Sequence, residues 1–422
     1  MRKRNIHLTL KMPKSFDFLL QLTILILIAF GTLMIASTTV GRVAEDGIAI
    51  VAIVFVKQAM FVVMSYILMT FFANNFSMRN AKAILPIAAV FIIGALLSTQ
   101  LFEGVNGSHA WIRIPLPGTE VTIQPSEFAK VFMIVTMAVY VEVAGRKNWD
   151  FWRIVKVPVF FFVGCAVAIL LQKDFGTLIV LFLLCAICFL IPSHINIRKQ
   201  QRWIKILLVV ACVCSLIVMS GVGIDYIAKM PFIGHFATRI SNAINPFLSP
   251  HLDGYQPING LYGLARGGIT GVGLGNSIQK YGYLTQSDND YILSIVVEEL
   301  GIFGLAIVMI GYGVIIQRLF YYAFRTKSEG YKVILIGTAM YIFIHFALNV
   351  GGVSGLIPLT GVPLLFISSG GSSLMAIMSA IGISQAVISR IRRQGADGMI
   401  KKSPKGNGDS LRKGRGETKI GG

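Results

Sequence analysis

Charged residues are scarce in this chain of 422 residues. Only 14% are Asp, Glu, Lys or Arg, whereas 55% are apolar, and the mean hydropathy is +0.72. A soluble domain carries about 25% charged residues. The scarcity of charge therefore excludes an ordinary soluble protein and places the chain in a lipid bilayer.

Cysteine is also rare, with five residues that all lie in predicted helices. Cys185 and Cys188 have the CxxC spacing, but neither a second pair nor a neighbouring histidine completes a zinc or redox site. All five cysteines are therefore predicted to be small packing residues.

No signature of a nucleotide-driven or hydrolytic enzyme is present. The glycines at 271, 273 and 275 match a phosphate-binding loop only loosely, because the pattern GxxxxGK[ST] is missing. The serines after Gly370 lack the GxSxG spacing, and the six histidines form no HExxH motif. Hydrolase and ATPase functions are therefore disfavoured.

Long apolar runs, in contrast, recur throughout the chain. About 20 residues suffice to cross roughly 30 Å of hydrocarbon. The sequence predicts ten spans, at 16–37, 51–73, 84–101, 128–143, 157–171, 177–191, 204–222, 291–316, 333–350 and 362–388. The predicted fold is thus an all-α polytopic membrane protein with ten transmembrane helices.

The basic residues predict the orientation of these spans. Segments on one side hold 29 of the 38 Lys and Arg residues, so this side and both termini are expected to be cytoplasmic. The net charge of +19 follows mainly from this bias. Because no aromatic residues are interleaved with the basic ones in the tail, the charge does not indicate nucleic-acid binding.

The chain divides into a basic cytoplasmic N-terminus (1–15), a ten-helix membrane domain (16–393) and a basic tail (394–422). The N-terminus resembles a signal peptide, but its apolar run is too long and no cleavage site follows, so it is expected to remain as the first span. The Gly- and Lys-rich tail is expected to be disordered. It contacts anionic lipids or a cytoplasmic partner, or serves only as a topology anchor.

A long extracellular loop (222–290) joins the seventh and eighth predicted spans. Loops of this length are usually functional or disordered. Its low charge and its regularly placed apolar residues argue against disorder and predict short helices near the outer interface. The active face of the protein is therefore expected to point outward.

Three acids stand within ten residues at the start of the eighth span, in a chain with only 19 acidic residues. Asp290 is explained without any function if it is a first-turn acid, which the helix dipole favours by about 0.3 to 1 kcal/mol. Glu298 and Glu299 lie two turns further in, where a carboxylate needs a partner or a water-filled cavity.

Other charged residues lie inside the predicted spans or at their outer ends. Glu127 and Lys130 are three residues apart on one helix face, so they either form an internal ion pair or line a substrate cavity. Lys57 lies in the second span, in so central a position that its ammonium would reach the interface only with difficulty. Asp174 marks the outer turn between the fifth and sixth spans.

A series of short motifs resembles the SEDS (shape, elongation, division and sporulation) family of bacterial membrane proteins, of the FtsW/RodA type, across residues 16–393. The matching strings are QPSEFAK from Gln124, LQKDFGT from Leu171, NPF from Asn245, GYQ from Gly254, GLGNSIQK from Gly273, DYI from Asp290, EELG from Glu298, NVG from Asn349 and the segment Pro363–Ser373. The string GLGNSIQK is more similar to division-type than to elongation-type members.

The resemblance implies a peptidoglycan glycosyltransferase that polymerises lipid II on the outer face of the bacterial cytoplasmic membrane. It also implies a class B penicillin-binding protein and divisome proteins as partners, localisation at the division septum, and an essential carboxylate at Asp290. The chain departs from the family at Gln286, where members commonly have an acid, and at Ser369, where they have tyrosine. A mechanism that needs a second acid at 286 is therefore in question.

The implied reaction explains why these residue types matter. A sugar hydroxyl attacks the anomeric carbon of a second precursor, a carboxylate accepts its proton, and direct displacement of the lipid pyrophosphate inverts the anomeric centre. The leaving group needs cations, either basic side chains or a divalent ion such as Mg²⁺ or Mn²⁺. No metal ligands are predicted. The candidate substrate-binding residues are Lys130, Glu127, Arg113, Arg266, Lys280, Glu298, Glu299, Lys57 and Asp174.

Two other functions are compatible with the sequence. Ten helices, intramembrane charges and a lipid-phosphate substrate also suit a lipid II flippase, although no inverted repeat is evident and the richest polar cluster lies at the outer edge. A non-catalytic scaffold for the penicillin-binding protein is the third possibility.

Overall fold

The computed structural model describes residues 9–43, 47–104, 108–116, 119–147, 149–220 and 240–402, and these are mostly helical. The helices are α1 (Phe18–Val40), α2 (Ala49–Asn75), α3 (Met78–Ser98), α4 (Pro125–Lys147), α5 (Phe151–Leu171), α6 (Phe175–Leu190), α7 (Arg198–Met219), α8 (Tyr255–Gly267), α9 (Ile292–Arg325), α10 (Glu329–Val353) and α11 (Gly371–Lys402). Between α3 and α4, strands β1 (Ile112–Leu116) and β2 (Thr119–Ile123) form an antiparallel hairpin.

The prediction of a polytopic helical membrane protein is confirmed. Nine helices within the described ranges are long and apolar enough to cross a bilayer. Helix α6, at the position of the sixth predicted span, is apolar but has only 16 residues. The total of ten spans therefore stays a prediction.

The long loop before α9 contains short helices, as its apolar pattern predicts. Residues Pro246–Leu248 form a 3₁₀ turn, and α8 packs against α9. The first part of this loop, residues 221–239, lies outside the described residues. So do residues 1–8 of the basic N-terminus and residues 403–422 of the tail.

Helix α11 begins later than the last predicted span and ends later than the predicted membrane domain. Its first residue is Gly371, because the preceding segment contains Pro363, which has no N–H to donate, and Phe366, whose φ of 68° is not helical. The backbone then remains helical as far as Lys402. Residues 395–402 are thus helical where disorder is expected from composition.

The core of the bundle is built around α11. Helix α11 is almost entirely buried up to Ile388 and packs along α2, and it also contacts α4 and α10. Gly382 allows this close packing, because a Cβ atom at its position would overlap the main-chain carbonyl of Met69 in α2. Small residues at helix interfaces are the usual means of close packing in membranes.

Helix α9 is broken near its start. Gly301 has φ of 61° and ψ of −147°, a combination that is essentially restricted to glycine. The break frees the carbonyls of Glu298 and Glu299, which accept hydrogen bonds from the amides of Val272 (2.9 Å) and Gly273 (3.0 Å). The glycine-rich loop is therefore docked onto the end of a short helix, 292–300.

The two ends of the bundle differ in composition. At the end that carries the basic loops, the buried carboxylate of Asp17 accepts hydrogen bonds from Arg318 and from the Tyr322 hydroxyl, the latter at 2.6 Å. This contact ties the start of α1 to α9. The opposite end carries the hairpin, the turn before α9 and the segment 354–370, which we call the α10–α11 loop.

Candidate active site

Asp290 lies in the turn before α9, at the end of the bundle opposite to the basic loops. Its side chain is half-buried and faces Gly361, where a Cβ atom would stand 3.7 Å from Asp290 Oδ2. Asn349, at the end of α10, donates its side-chain amide to the carbonyls of Asp290 (2.9 Å) and Val362 (3.0 Å). The α10–α11 loop and the turn before α9 therefore meet at Asp290.

Further hydrogen bonds hold the turn against the α10–α11 loop. The amide of Ser369 donates to the carbonyl of Asp288 (2.9 Å), and the hydroxyl of Ser368 donates to the carbonyl of Asn289 (2.9 Å). Ser368 Oγ also accepts from the amide of Leu364 (2.8 Å). Because each of these bonds uses the backbone of the turn or of the loop, they determine where the Asp290 side chain points.

Three residues of the elements that meet at Asp290 have buried polar atoms without a hydrogen-bond partner. Within the described residues, Asn349 Oδ1, Thr360 Oγ1 and Tyr291 Oη are buried and have no hydrogen-bond partner. A buried polar group without a partner costs about 1 to 3 kcal/mol. Asn349 and Tyr291 are each 1% exposed, so their unpaired atoms lie inside the protein beside the turn of Asp290.

Three cations lie near this turn. Arg42, which follows α1, forms an ion pair with Asp288 (3.0 Å). Lys57 donates to the carbonyl of Glu120 in the hairpin (2.8 Å), and it interacts electrostatically with Asp288. Arg113 lies 3.7 Å from the Glu120 carboxylate. Two of the predicted cations, Lys57 and Arg113, are thus at the end of the bundle that carries Asp290.

Lys57 lies in the first half of α2, and its side chain reaches the hairpin at the outer end of the bundle. Its central position in the membrane stays a prediction. Arg42 is a further cation at this end of the bundle and is not among the candidate residues predicted from the sequence. The sequence feature that could have identified Arg42 is its position shortly after the first span, on the same side of the membrane as the acid-rich turn.

Glu127 and Lys130 form an ion pair inside the helical core. Lys130 Nζ lies 2.8 Å from Glu127 Oε1, and the two side chains are 1% and 2% exposed. The hydroxyl of Tyr341 donates to Glu127 Oε2 (2.6 Å), and Lys130 contacts Nε2 of His345 (3.0 Å). Of the two alternatives left open by the sequence, the geometry matches the internal pair that joins α4 to α10.

Glu298 and Glu299 form a second buried cluster, which we call the carboxylate clamp together with Arg266, Ser277 and Lys280. Glu298 Oε1 lies 2.7 Å from Arg266 Nη1, and Glu299 Oε1 lies 3.1 Å from Lys280 Nζ. The hydroxyl of Ser277 donates to Glu298. Both glutamates have no exposed surface.

The clamp changes the interpretation of four predicted substrate-binding residues. Glu298, Glu299 and Lys280 are buried and engaged with one another or with the loop, and Arg266 is held by Glu298. The partner that an intramembrane carboxylate requires is supplied from within the chain. These residues are therefore placed where they support the glycine-rich loop.

Asp174 acts as a helix cap in the structure. Its Oδ1 accepts from the amide of Thr177 (3.0 Å) at the start of α6, and its Oδ2 accepts from Gln124 (2.9 Å). Capping of this kind stabilises a helix by about 1 kcal/mol. Gly176 in the same turn contacts the carbonyl of Thr360, so the cap also supports the α10–α11 loop.

No group of three or more His, Cys, Asp or Glu side chains with metal-binding geometry occurs in the described ranges. All five cysteines are free thiols, and Cys165 and Cys188 are buried as packing residues, whereas Cys212 and Cys214 on α7 are exposed, so the expectation of packing is wrong for these two. The site thus contains two half-buried carboxylates, Asp288 and Asp290, together with neighbouring cations and buried polar groups.

The sequence model of a family described as "Cell cycle protein", which covers FtsW, RodA and SpoVE, matches residues 17–394. A protein of Enterococcus hirae named probable peptidoglycan glycosyltransferase FtsW is 33% identical over 347 residues, which are 80% of this chain and 83% of that protein. The Bacillus subtilis (strain 168) protein of the same name is 33% identical over 388 residues, 88% of this chain and 90% of the relative.

Solved structures show the same fold. A chain from a peptidoglycan synthase complex, described for its coordination of polymerization and crosslinking, superimposes with a TM-score of 0.65 at 22% identity, covering 90% of this chain and 100% of that one. The crystal structure of Thermus thermophilus rod shape determining protein RodA gives a TM-score of 0.55 at 18% identity, covering 89% of this chain and 97% of that one.

Proposed function

This chain belongs to the FtsW/RodA/SpoVE family of cell cycle proteins, and on that premise we propose that it is a peptidoglycan glycosyltransferase that polymerises lipid II at the outer face of the cytoplasmic membrane. The observation that carries the proposal is the place of Asp290. It is half-buried, and its backbone is held against the α10–α11 loop. Of the other acids in this segment, Asp288 is paired with Arg42, and Glu298 and Glu299 are buried in the clamp.

Asp290 acts as the general base in this proposal. A sugar 4-hydroxyl is a poor nucleophile at neutral pH, and a carboxylate within hydrogen-bond reach accepts its proton while the glycosidic bond forms. The hydroxyl attacks the anomeric carbon from the face opposite the lipid pyrophosphate, so the configuration at that carbon is inverted.

The lipid pyrophosphate leaves as an anion and needs positive charge. Of the predicted cations, Lys57 and Arg113 lie at the end of the bundle that carries Asp290. Arg42 is a third cation at this end. Basic side chains placed where negative charge develops stabilise the transition state. A Mg²⁺ or Mn²⁺ ion that arrives on the pyrophosphate is a second source of charge, and activity assayed with either ion and with EDTA tests for it.

A class B penicillin-binding protein is the proposed partner, because polymerised strands must be crosslinked. The similarity to a chain from a complex described for polymerization and crosslinking supports this pairing. The names of the relatives support a role in septal synthesis together with divisome proteins. Co-purification with the partner, and septal localisation of a tagged copy, test these two inferences separately.

Purified protein in vesicles that contain lipid II separates the candidate functions. A polymerase forms glycan strands from labelled lipid II, and Asp290→Asn abolishes them without changing the amount of folded protein. Translocation of lipid II across the vesicle membrane with no strands formed would support the flippase. Neither strands nor translocation, with retained binding of the penicillin-binding protein, would support the scaffold.

A further inference from the structure

His345 connects the buried ion pair of α4 to the α10–α11 loop. It lies in α10 with no exposed surface. Its Nε2 is 3.0 Å from Lys130 Nζ, and its Nδ1 is 3.2 Å from the carbonyl oxygen of Pro363. One side chain therefore contacts both the interior of the bundle and the loop that faces Asp290.

The partners of His345 determine its tautomer. The ammonium group of Lys130 has only protons to donate, so Nε2 must accept. The carbonyl of Pro363 has only lone pairs, so Nδ1 must carry the hydrogen and donate it. The imidazole is therefore neutral and has a defined direction, from Lys130 through the ring to the loop.

A short path leads from Pro363 to the turn that carries Asp290. The next residue, Leu364, donates its amide to Ser368 Oγ (2.8 Å), and that hydroxyl donates to the carbonyl of Asn289 (2.9 Å). Two residues after Leu364, Phe366 has a positive φ of 68°, which is strained for an aromatic residue. A loop with such a conformation needs anchors at both ends.

We propose that His345 is a positioning residue for the proposed reaction: it anchors Pro363 to the buried Lys130, and through Ser368 it holds the turn of Asp290 in place. His345 does not contact the substrate. This inference rests on the proposed function, because the consequence for catalysis requires that Asp290 is the base. Its structural part, the anchoring of the loop, is measurable without any activity.

The chain offers matched variants. His345→Phe keeps a ring but removes both hydrogen bonds, whereas His345→Gln retains one donor and one acceptor. Tyr341→Phe is the control for the ion pair, because Tyr341 donates to Glu127 from the same helix without contacting the loop. Ser368→Ala breaks the far end of the path, and its control is Ser379→Ala, which removes only a bond to Met375 within α11.

Two measurements on purified protein with lipid II test the proposal. We expect His345→Phe and Ser368→Ala to lower kcat about tenfold or more, with KM nearly unchanged, because misplacement of a catalytic group reduces the rate of the bound complex. Hydrogen exchange at the amides of Leu364 and Ser368 should accelerate in His345→Phe. His345→Gln should restore both kcat and the slow exchange of these amides. Tyr341→Phe and Ser379→Ala should change neither kcat nor the exchange rates.

The proposal is overturned if loop exchange in His345→Phe equals that of the wild type. It is also overturned if Tyr341→Phe lowers kcat as much as His345→Phe does, since the ion pair alone would then matter. If His345→Phe does not fold, the pair Ser368→Ala and Ser379→Ala decides by the same two readouts. A wild-type protein that forms no glycan strands refutes the proposed function, while loop exchange still reports on the His345 anchor.

Discussion

The turn that carries Asp290 and the carboxylate clamp that follows it use the same functional group in different ways. Glu298 and Glu299 have no exposed surface, and each is paired with a cation inside the protein. Asp290, eight residues before Glu298, is half-buried among polar groups at one end of the bundle. Acids close to the membrane are thus fully buried and paired with cations where they support the fold, and half-buried where we propose chemistry.

The turn of Asp290 and the carboxylate clamp are also connected by one short helix. Residues 292–300 form one short helix, with Asp290 just before its start and the clamp at its end. The clamp holds the glycine-rich loop against this end, through Ser277 and through the amides that bond to the free carbonyls. A rigid clamp therefore keeps the short helix, and with it the turn of Asp290, in one position.

Exchanging the acids for amides should separate the two regions most strongly. We expect Asp290→Asn to lower kcat for lipid II polymerisation by about 10² to 10⁴, the usual contribution of a general base, with the unfolding midpoint unchanged. Glu298→Gln should keep most activity, because the amide oxygen still accepts from Ile278 and the partly exposed Arg266 can be hydrated. Strand synthesis and thermal unfolding in detergent measure both. A larger loss of activity in Glu298→Gln than in Asp290→Asn would refute the comparison.

The second prediction concerns the stability of the clamp. Glu299→Gln leaves Lys280 as a fully buried charge without its carboxylate, and breaking one side of a buried pair costs about 3 to 5 kcal/mol. We expect a correspondingly lower unfolding midpoint. In the double variant with Lys280→Gln, neither charge of this pair is left, so most of the loss should be recovered. A double variant as unstable as Glu299→Gln alone would show that the pair is not what holds the loop.

Much of the architecture was predictable because it follows from composition. Apolar runs and the bias of basic residues depend on the bilayer alone, so the nine apolar helices of the described ranges and the separation of the two ends follow from the sequence. The late start of α11 was not predictable, because the segment before it is as apolar as a membrane helix. Its irregular backbone is held by tertiary contacts such as that of Tyr312 with the carbonyl of Leu365.

The site was predictable only in part. Asp290 stands out because acids are scarce, but sequence spacing cannot show that Glu298 meets Arg266, which is 32 residues earlier. His345 was missed for a related reason. A lone histidine in an apolar helix carries no pattern, and its role emerges only when the fold brings Lys130 and Pro363 to its two nitrogens.

The smallest effect on stability is expected at the ion pair of Arg42 and Asp288, which sharpens the contrast with the clamp. The Arg42 side chain is 36% exposed, so water replaces its partner at little cost, and Arg42→Ala should change the free energy of unfolding by at most about 1 kcal/mol. The fall in activity should be larger than this change in stability explains, since the variant removes one cation proposed to face the pyrophosphate. Arg42→Lys should restore part of the activity. A large loss of stability in Arg42→Ala would instead place Arg42 among the structural pairs, with Lys280.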